Sequence, residues 1–197
     1  MTTQKKYELL QNDTINHNGR TLYRIKAITT FGTVFAGTLG GYIEKESNLK
    51  HLGNAWVYDN AKVYDSAEVY GNAKVYDSAE VYGNAEVYGN AEVWGSAKVW
   101  GNAEVWGSAK VWGNAKVRSF AVLSERKMIF WASNVGTENG TLTVYNGKDG
   151  LLVTRGCFTG TVEEFLAKSD EVHDEKTKRE YQLLIEVAKS RILGEAT

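Results

Sequence analysis

A short segment near the C-terminal end carries residue types suited to binding an anion. It reads Arg155-Gly156-Cys157-Phe158-Thr159-Gly160-Thr161 and lies between a predicted strand and a predicted helix. Free backbone N–H groups and the positive end of a helix dipole attract phosphate at such a place, and an arginine adds a bidentate contact. The alternative is a tight turn before an ordinary helix cap, because the spacing matches neither a Walker loop nor a dinucleotide fingerprint. The candidate ligand-binding residues are Arg155, Gly156, Thr159, Gly160 and Thr161.

Cys157 and His173 have the chemistry of a nucleophile and its base. They flank a predicted helix of about 12 residues, whose ends lie roughly 18 Å apart, so the two side chains of one chain do not meet. We interpret Cys157 as a small buried residue and predict no catalytic residue. The histidines at positions 17, 51 and 173 show no metal-ligand spacing, so we also predict no metal and no cofactor.

A repeat sets the architecture that must position these residues. Eleven copies of a six-residue phrase, such as Gly-Asn-Ala-Glu-Val-Tyr, run without a gap from Gly53 to Arg118. Alternate residues of a strand point to opposite faces, so Ala and Val share the inner face while Lys or Glu and the aromatic residue share the outer one. Gly, Asp, Asn and Ser favour corners. A four-residue strand and a two-residue corner predict a parallel β-helix with about 18 residues per coil.

The aromatic residues fall into three rows at this spacing. The rows are Tyr58, Tyr76, Trp94 and Trp112; Tyr64, Tyr82 and Trp100; and Tyr70, Tyr88 and Trp106. They predict exposed ladders of stacked rings, which either stabilise the coil or offer a contact surface to another protomer or a ring-shaped ligand. From the second interpretation we expect a homo-oligomer, a dimer or a trimer. The candidate interface residues are Trp94, Trp100, Trp106 and Trp112.

The charged residues follow the same spacing. Lys and Glu mix in two rows, but Glu68, Glu86 and Glu104 form a uniformly acidic row. Like charges on neighbouring strands cost stability, and a cation or a basic partner would relieve the repulsion, as would solvation alone.

The segments on either side of the repeat predict a division into three parts. Residues 1–52 form a β cap with irregular first coils, 53–118 the solenoid, and 119–197 a small α+β domain with three strands and two helices. The cap contains a hairpin around His17, Asn18 and Gly19. In the last part, Thr161 and Glu164 form a capping box and Gly194 stops the final helix. The predicted fold class is therefore mainly β, a hexapeptide-type parallel β-helix followed by an α+β domain.

Composition excludes several functions and locations. The chain has 197 residues and a net charge of −1, which gives no general nucleic-acid or membrane footprint. One cysteine excludes a disulfide framework within the chain and fits a reducing compartment. Neither a signal peptide nor a membrane span is evident, so we expect a cytoplasmic protein.

The start of the chain resembles the YdcK-type β-solenoid repeat proteins of bacteria and phages. The resemblance covers roughly Tyr7 to Arg118 and is carried by Leu22-Tyr23-Arg24-Ile25-Lys26-Ala27, Gly40-Gly41-Tyr42-Ile43-Glu44 and Gly53-Asn54-Ala55-Trp56-Val57. It implies a left-handed coil, since the period alone does not set handedness. It also implies a phage or prophage origin, and therefore the cytoplasm of the host cell.

Three functions are compatible with these features. We expect non-catalytic binding, with the C-terminal domain, alone or together with a neighbouring protomer, forming a pocket for a small phosphate-bearing ligand. One form of this is a phage counter-defence protein that sequesters a host nucleotide signal. The alternatives are a purely structural assembly protein and a hexapeptide-type acyltransferase. The last is disfavoured because that class uses a histidine near a loop that interrupts the coils, and here only His51 borders them.

Overall fold

The computed structural model describes residues 4–194 and confirms the mainly β fold class. An N-terminal hairpin leads into a parallel β-solenoid of about five turns, and an α+β region with two helices follows. The outer ends of the first and last predicted parts, residues 1–3 and 195–197, lie outside the described residues. Within residues 4–194, no helix combines the length and the apolar character that crossing a bilayer requires.

The solenoid consists of short strands at the predicted spacing. The hairpin and first coil contain β1 (Tyr7–His17), β2 (Arg20–Ala27), β3 (Leu39–Ile43) and β4 (Leu49–Gly53). The eleven hexads each supply one strand: β5 (Trp56–Val57), β6 (Lys62–Val63), β7 (Glu68–Gly71), β8 (Lys74–Val75), β9 (Glu80–Val81), β10 (Glu86–Val87), β11 (Glu92–Val93), β12 (Lys98–Val99), β13 (Glu104–Val105), β14 (Lys110–Val111) and β15 (Lys116–Val117). A further strand, β16 (Val122–Leu123), continues the coil beyond the last recognised hexad.

These strands form three sheets, one for each side of the coil, and all pairs are parallel except β1 with β2 and β2 with β3. The hairpin side has the order β1-β2-β3-β6-β9-β12-β15, because the N-terminal hairpin extends this sheet. The acidic side has the order β4-β7-β10-β13-β16 and carries the row of three glutamates. The third side has the order β5-β8-β11-β14.

The backbone hydrogen bonds between coils have a direction. The N–H groups at the second, fourth and sixth hexad positions donate to the C=O of the residue 17 positions later, as Asn90, Glu92 and Trp94 show. Because three N–H groups per hexad point forward and the parallel ladder returns one, the first coil is left mainly with free carbonyl acceptors and the last coil mainly with free N–H donors. Both ends need polar caps, since an open parallel sheet edge recruits other strands.

Each corner depends on the first hexad position. This residue has a positive φ in every hexad, whether it is aspartate, as at Asp77 (φ 60°), or glycine, as at Gly89 (φ 68°). The corner is a β-turn, closed in several hexads by a bond from the Ala N–H to the preceding aromatic carbonyl, for example Ala91 to Tyr88 at 3.3 Å. The turn therefore includes the aromatic residue before the corner and the alanine after it. Most strands consequently have two residues instead of the predicted four.

The inside of the coil is a dry column of small apolar side chains, as predicted. Every Ala and Val of the eleven hexads has no exposed surface. Tyr7 and Trp56 close the column at its N-terminal end. Ile129 and Tyr145 close it at the other end, so residues of both flanking segments belong to the same core.

The C-terminal region has four antiparallel strands, one more than predicted. They are β17 (Ile129–Val135), β18 (Gly140–Gly147), β19 (Gly150–Arg155) and β20 (Phe158–Thr161), followed by α1 (Val162–Val172) and α2 (Glu175–Leu193). Helices and sheet enclose a second core around Phe165, Tyr181 and Ile185. Val172 is 56% exposed because it lies in the last turn of α1. The boundaries at residues 52 and 118 stay predictions.

We predict that a side-chain carbon at a stacked corner glycine costs more stability than backbone strain alone. A Cβ at Gly89 would lie 2.8 Å from the Gly107 nitrogen, whereas one at Gly19, with a similarly positive φ, would meet nothing within 4 Å. Gly19→Ala should lower the free energy of unfolding by about 1–2 kcal/mol through backbone strain. Gly89→Ala should cost at least about 1 kcal/mol more, because of overpacking against the next coil. Urea unfolding measures both, and equal losses would contradict the predicted close packing.

Candidate functional site

The predicted anion-binding segment does not form an open loop. Residues Phe158–Thr161 form β20, which pairs with β19 through Thr154↔Thr159 and Arg155↔Phe158. The turn between the two strands consists of Gly156 and Cys157. This part of the sequence prediction is wrong, because the hairpin ladder uses backbone groups that a phosphate was expected to meet.

The start of helix α1 already carries a negative group. The Thr161 hydroxyl accepts the Glu164 N–H at 3.2 Å, and the Glu164 carboxylate accepts the Thr161 N–H at 2.8 Å. This confirms the predicted capping box. Phosphate binding by Gly160 and Thr161 stays a prediction, and the adjacent carboxylate opposes it electrostatically.

Arg155 is held firmly on the sheet. Its Nε donates to the Tyr181 hydroxyl at 3.1 Å, and its Nη2 donates to the Val135 carbonyl at 3.0 Å. In the part of the chain that the structure describes, its Nη1 has no hydrogen-bond partner. Two anchoring bonds leave one edge of the guanidinium available in a fixed orientation.

Arg155 and Gly156 line a groove, which we call the corner groove, between the solenoid and the C-terminal sheet. Its volume is about 360 Å³, and its lining residues are Ser96, Asn114, Lys116, Glu138, Gly140, Thr141, Arg155 and Gly156. Lys116 makes no ion pair or side-chain hydrogen bond within residues 4–194. Two cations therefore face one carboxylate, together with two hydroxyl groups and an amide. The structure does not place Thr159, Gly160 or Thr161 among the lining residues.

The aromatic rows stack as predicted, but most of the rings are half-buried. On the acidic side, the ring centroids of Tyr70 and Tyr88 are 4.8 Å apart, and those of Tyr88 and Trp106 are 6.0 Å apart. Each ring covers its neighbour, so the prediction of exposed ladders is wrong for most of the rings and right for Trp106 and Trp112. Trp106 ends its row, and 37% of its surface is exposed. On the hairpin side, the N-terminal hairpin covers Tyr64, which keeps only 3% of its surface exposed.

The four predicted interface tryptophans do not form one surface. Because they are six residues apart, they follow the coil around its three sides. Trp94 stacks on Trp112, which meets Trp131 of the C-terminal sheet edge-on at 4.2 Å. Trp100 lies beneath Arg118, and Trp106 lies on the acidic side. Their role as an interface stays a prediction.

The acidic row is confirmed, and neighbouring side chains partly offset the repulsion between its carboxylates. Glu68, Glu86 and Glu104 are in register on neighbouring strands. Lys50 pairs with Glu68 at 2.6 Å, and the Tyr70 hydroxyl donates to Glu86 at 2.7 Å. Burial and the neighbouring carboxylates raise the pKa of the Tyr88 hydroxyl above its usual range. No cation of the described residues pairs with Glu86 or Glu104.

Cys157 and His173 differ from a catalytic pair. Cys157 is exposed, and not buried as predicted, because it lies in the tight β19–β20 turn. His173 caps the end of α1, and its ring packs 5.4 Å from the Tyr181 ring. In residues 4–194, no group of three or more His, Cys, Asp or Glu side chains could hold a metal ion.

The structure reveals a polar cluster that the sequence analysis missed. The hairpin turn places His17 Nε2 3.3 Å from Glu80 Oε2. The Tyr64 hydroxyl donates to the same carboxylate at 3.1 Å, and Lys98 pairs with it at 3.2 Å. Residues 17 and 80 are brought together by the hairpin folding back on its sheet. The available signal was that Glu80 is the acidic member of an otherwise basic row.

Comparisons with known proteins give a partial match. No family model matches the chain. A stretch of 38 residues is 50% identical to a protein of Escherichia coli (strain K12) described as "Uncharacterized acetyltransferase YdcK". The match covers 19% of this chain and 12% of that protein, so it spans a small part of the relative's length. Together with the solenoid, it fits a YdcK-like repeat protein, while the phage origin stays an expectation.

We predict that Arg155 contributes to the stability of the C-terminal region. Arg155→Met leaves the Val135 carbonyl and the Tyr181 hydroxyl without their donor and should lower the free energy of unfolding by about 1–3 kcal/mol. Lys116→Met is the matched control, since it removes a groove cation without a hydrogen bond and should change stability by less than about 0.5 kcal/mol. Thermal unfolding of the two variants makes the comparison. An Arg155→Met protein as stable as the wild type would show that these two hydrogen bonds contribute nothing to the stability of the C-terminal region.

Proposed function

We propose that this protein is a non-catalytic binding protein whose corner groove holds a small phosphate-bearing molecule. The observation that carries the proposal is the meeting of Arg155 and Lys116, 39 positions apart, on one groove with hydroxyl and amide donors. Phosphate oxygens are satisfied by several convergent donors and favour a guanidinium fork. In this proposal, the β-solenoid is the scaffold that carries one wall of the groove.

The geometry of the groove supports a bound ligand in two ways. Tyr181 and Val135 hold the guanidinium in place, so little side-chain freedom is lost on binding. A volume of about 360 Å³ lies within the usual range of small-molecule sites. Glu138 on the rim favours a ligand that also offers a hydrogen-bond donor, such as a nucleobase or a ribose.

In its narrower form, the proposal is that the ligand is a host nucleotide signal and that the protein sequesters it as a phage counter-defence protein. This form rests on the resemblance to repeat proteins found in phages. Sequestration requires tight binding, which the anchored guanidinium of Arg155 favours.

We predict that Lys116→Met weakens nucleotide binding without changing the fold. Losing a charge-assisted contact should reduce affinity about ten- to a hundredfold. The control is Lys62→Met, which removes a lysine from the same row but outside the groove. The measurement is calorimetry with a panel of linear and cyclic nucleotides. Equal affinity of all three proteins, or no binding by the wild type, would contradict the proposal.

We also propose that the protein is a homo-oligomer that buries an aromatic row between copies. Light scattering should then give a multiple of the chain mass of 21.9 kDa at micromolar concentration. Trp106→Ser removes the exposed end of the row on the acidic side and should shift the equilibrium to monomer, whereas Trp100→Ser on the hairpin side should not. A wild-type monomer across this concentration range would exclude the proposed assembly.

A second candidate function is acyl transfer. It is favoured by the description of the matched Escherichia coli protein as an acetyltransferase and by the contact between His17 and Glu80, which is the arrangement of a base with an orienting carboxylate. If the chain is an acyltransferase, it should release free thiol from acetyl-CoA in the presence of amine or hydroxyl acceptors. His17→Gln should abolish this release, and His173→Gln should not. Absence of thiol release by the wild type would remove this candidate.

A further inference from the structure

A second cavity lies at the N-terminal end of the solenoid, away from the corner groove. We call it the terminal pocket; its volume is about 520 Å³, and it is lined by Gln4, Lys6, Thr29, Thr30, Phe31, His51, Leu52 and Gly53. These residues come from the start of the chain, from the segment after β2, and from β4. None of them belongs to the corner groove or to the aromatic rows.

Lys6 is a buried cation without a counter-ion. The residue is 4% exposed, and its ammonium donates to the Ala55 carbonyl at 2.8 Å and the Gly53 carbonyl at 3.3 Å. These are two of the carbonyls that the first coil leaves free, so Lys6 caps that end of the solenoid. Within residues 4–194, no carboxylate lies within 4.0 Å of its Nζ. An unpaired buried charge is costly, and an anion nearby offsets the cost.

The capping role uses two of the three N–H groups of Lys6. An ammonium has three donors that diverge tetrahedrally, so the third points away from the two carbonyls. The Phe31 ring centroid lies 4.9 Å from Nζ, which places an aromatic face beside the cation. Capping therefore explains why a lysine is present but leaves one donor unused.

His51 adds a second unused donor. Its Nδ1 accepts the backbone N–H of Lys6 at 3.3 Å, so the neutral ring carries its proton on Nε2. That Nε2 is buried and has no hydrogen-bond partner among the described residues. The Glu46 carboxylate lies 3.9 Å away, beyond hydrogen-bond distance. A buried donor without a partner is uncommon in a folded protein and commonly marks a missing ligand or water.

The remaining lining sets the character of a ligand. Phe31 and Leu52 supply apolar surface, and Leu52 is 79% exposed. Thr29, Thr30 and Gln4 supply neutral polar groups. A ligand that matches both parts carries a negative oxygen group at one end and a flat apolar group at the other.

We propose that the terminal pocket binds a small organic anion whose carboxylate or phosphate oxygens accept hydrogen bonds from Lys6 Nζ and His51 Nε2. Its apolar part packs on Phe31 and Leu52. The site is independent of the corner groove, since the two cavities share no lining residue. The two anion types share one recognition chemistry and are distinguished by the probes.

The test uses the full chain and three probes of similar shape: benzoate, phenyl phosphate and the neutral benzyl alcohol. Nuclear magnetic resonance titration of the ¹⁵N-labelled protein should show saturable amide shifts around Lys6, Phe31 and His51 with at least one of the two anions. Benzyl alcohol should cause no saturable shift there. Preference for benzoate or for phenyl phosphate identifies the anionic group.

Lys6→Met should weaken this binding at least about tenfold, because it removes the charge-assisted donor. The neighbouring Lys5→Met is the matched control, since Lys5 pairs with Glu46 and does not line the pocket. Lys116→Met is a second control and should affect the corner groove alone. If Lys6→Met does not fold, His51→Phe removes the other donor while keeping an aromatic ring against Tyr7, and it should weaken binding in the same way.

A measurement on the wild type gives an independent check. Burial lowers the pKa of Lys6 to about 8. The pKa values of three nearby groups shift as well. Burial lowers the pKa of His51, and burial together with Glu46 raises the pKa of Tyr7. The hydrogen bond from Lys5 lowers the pKa of Glu46. Lys6 is therefore the lining residue that loses its charge between about pH 7 and about pH 9.5, and benzoate affinity should fall about tenfold over this range.

The proposal is overturned if neither anion gives saturable shifts, or if benzyl alcohol binds as well as the anions. It is also overturned if affinity is the same in the wild type, Lys6→Met and His51→Phe, or if it does not change across the pH range. Binding that requires Lys6 and a charged probe supports it.

Discussion

The hydrogen-bond direction of the stacked coils is the constraint on which the rest of the structure depends. Because N–H groups at three hexad positions donate to the following coil, the first coil presents mainly carbonyls and the last presents mainly N–H groups. The caps have the opposite chemistry at each end. Lys6 supplies donors at the start, while Thr143 and Tyr145 accept the N–H groups of Lys116 and Arg118 at the end. The non-repetitive segments therefore exist to satisfy what the repeat leaves open.

This division of labour also explains where binding sites lie. A hexad repeated eleven times places the same residue types on every side, so it provides a smooth support and no unique cavity. Both cavities arise where an irregular segment meets the regular coil. The corner groove lies where the C-terminal sheet meets two corners, and the terminal pocket where the N-terminal segment meets β4. Lys6, which caps the first coil, supplies the positive charge of the terminal pocket, whereas Arg155 and Lys116 supply that of the corner groove.

The acidic row shows that the solenoid stays folded despite repulsion between neighbouring carboxylates, because the buried core contributes more free energy. Three glutamates lie in register on neighbouring strands, and one pairs with a lysine. Inside the same strands, Ala and Val are completely buried and the corners are tightly stacked. Cross-strand repulsion of less than about 1 kcal/mol per pair is small beside the burial of a valine side chain at each rung. The outer positions of the coil are therefore free to vary in charge without loss of the fold.

The sequence by itself determined the solenoid, its register, its inner column and the three aromatic rows, because an uninterrupted period of six combines with the alternation of a strand to set them locally. It also predicted the hairpin, the capping box at Thr161 and the stop at Gly194, which depend on neighbouring residues. Only the tertiary structure decided that Arg155 and Lys116 line one groove, that His17 meets Glu80, and that Lys6 and His51 share a pocket. These arrangements bring together residues 39 to 63 positions apart, and no local pattern specifies how separate segments pack. The pairing of β19 with β20 was missed for the same reason, since a glycine-rich segment is compatible with both a loop and a strand, and its neighbours decide between them.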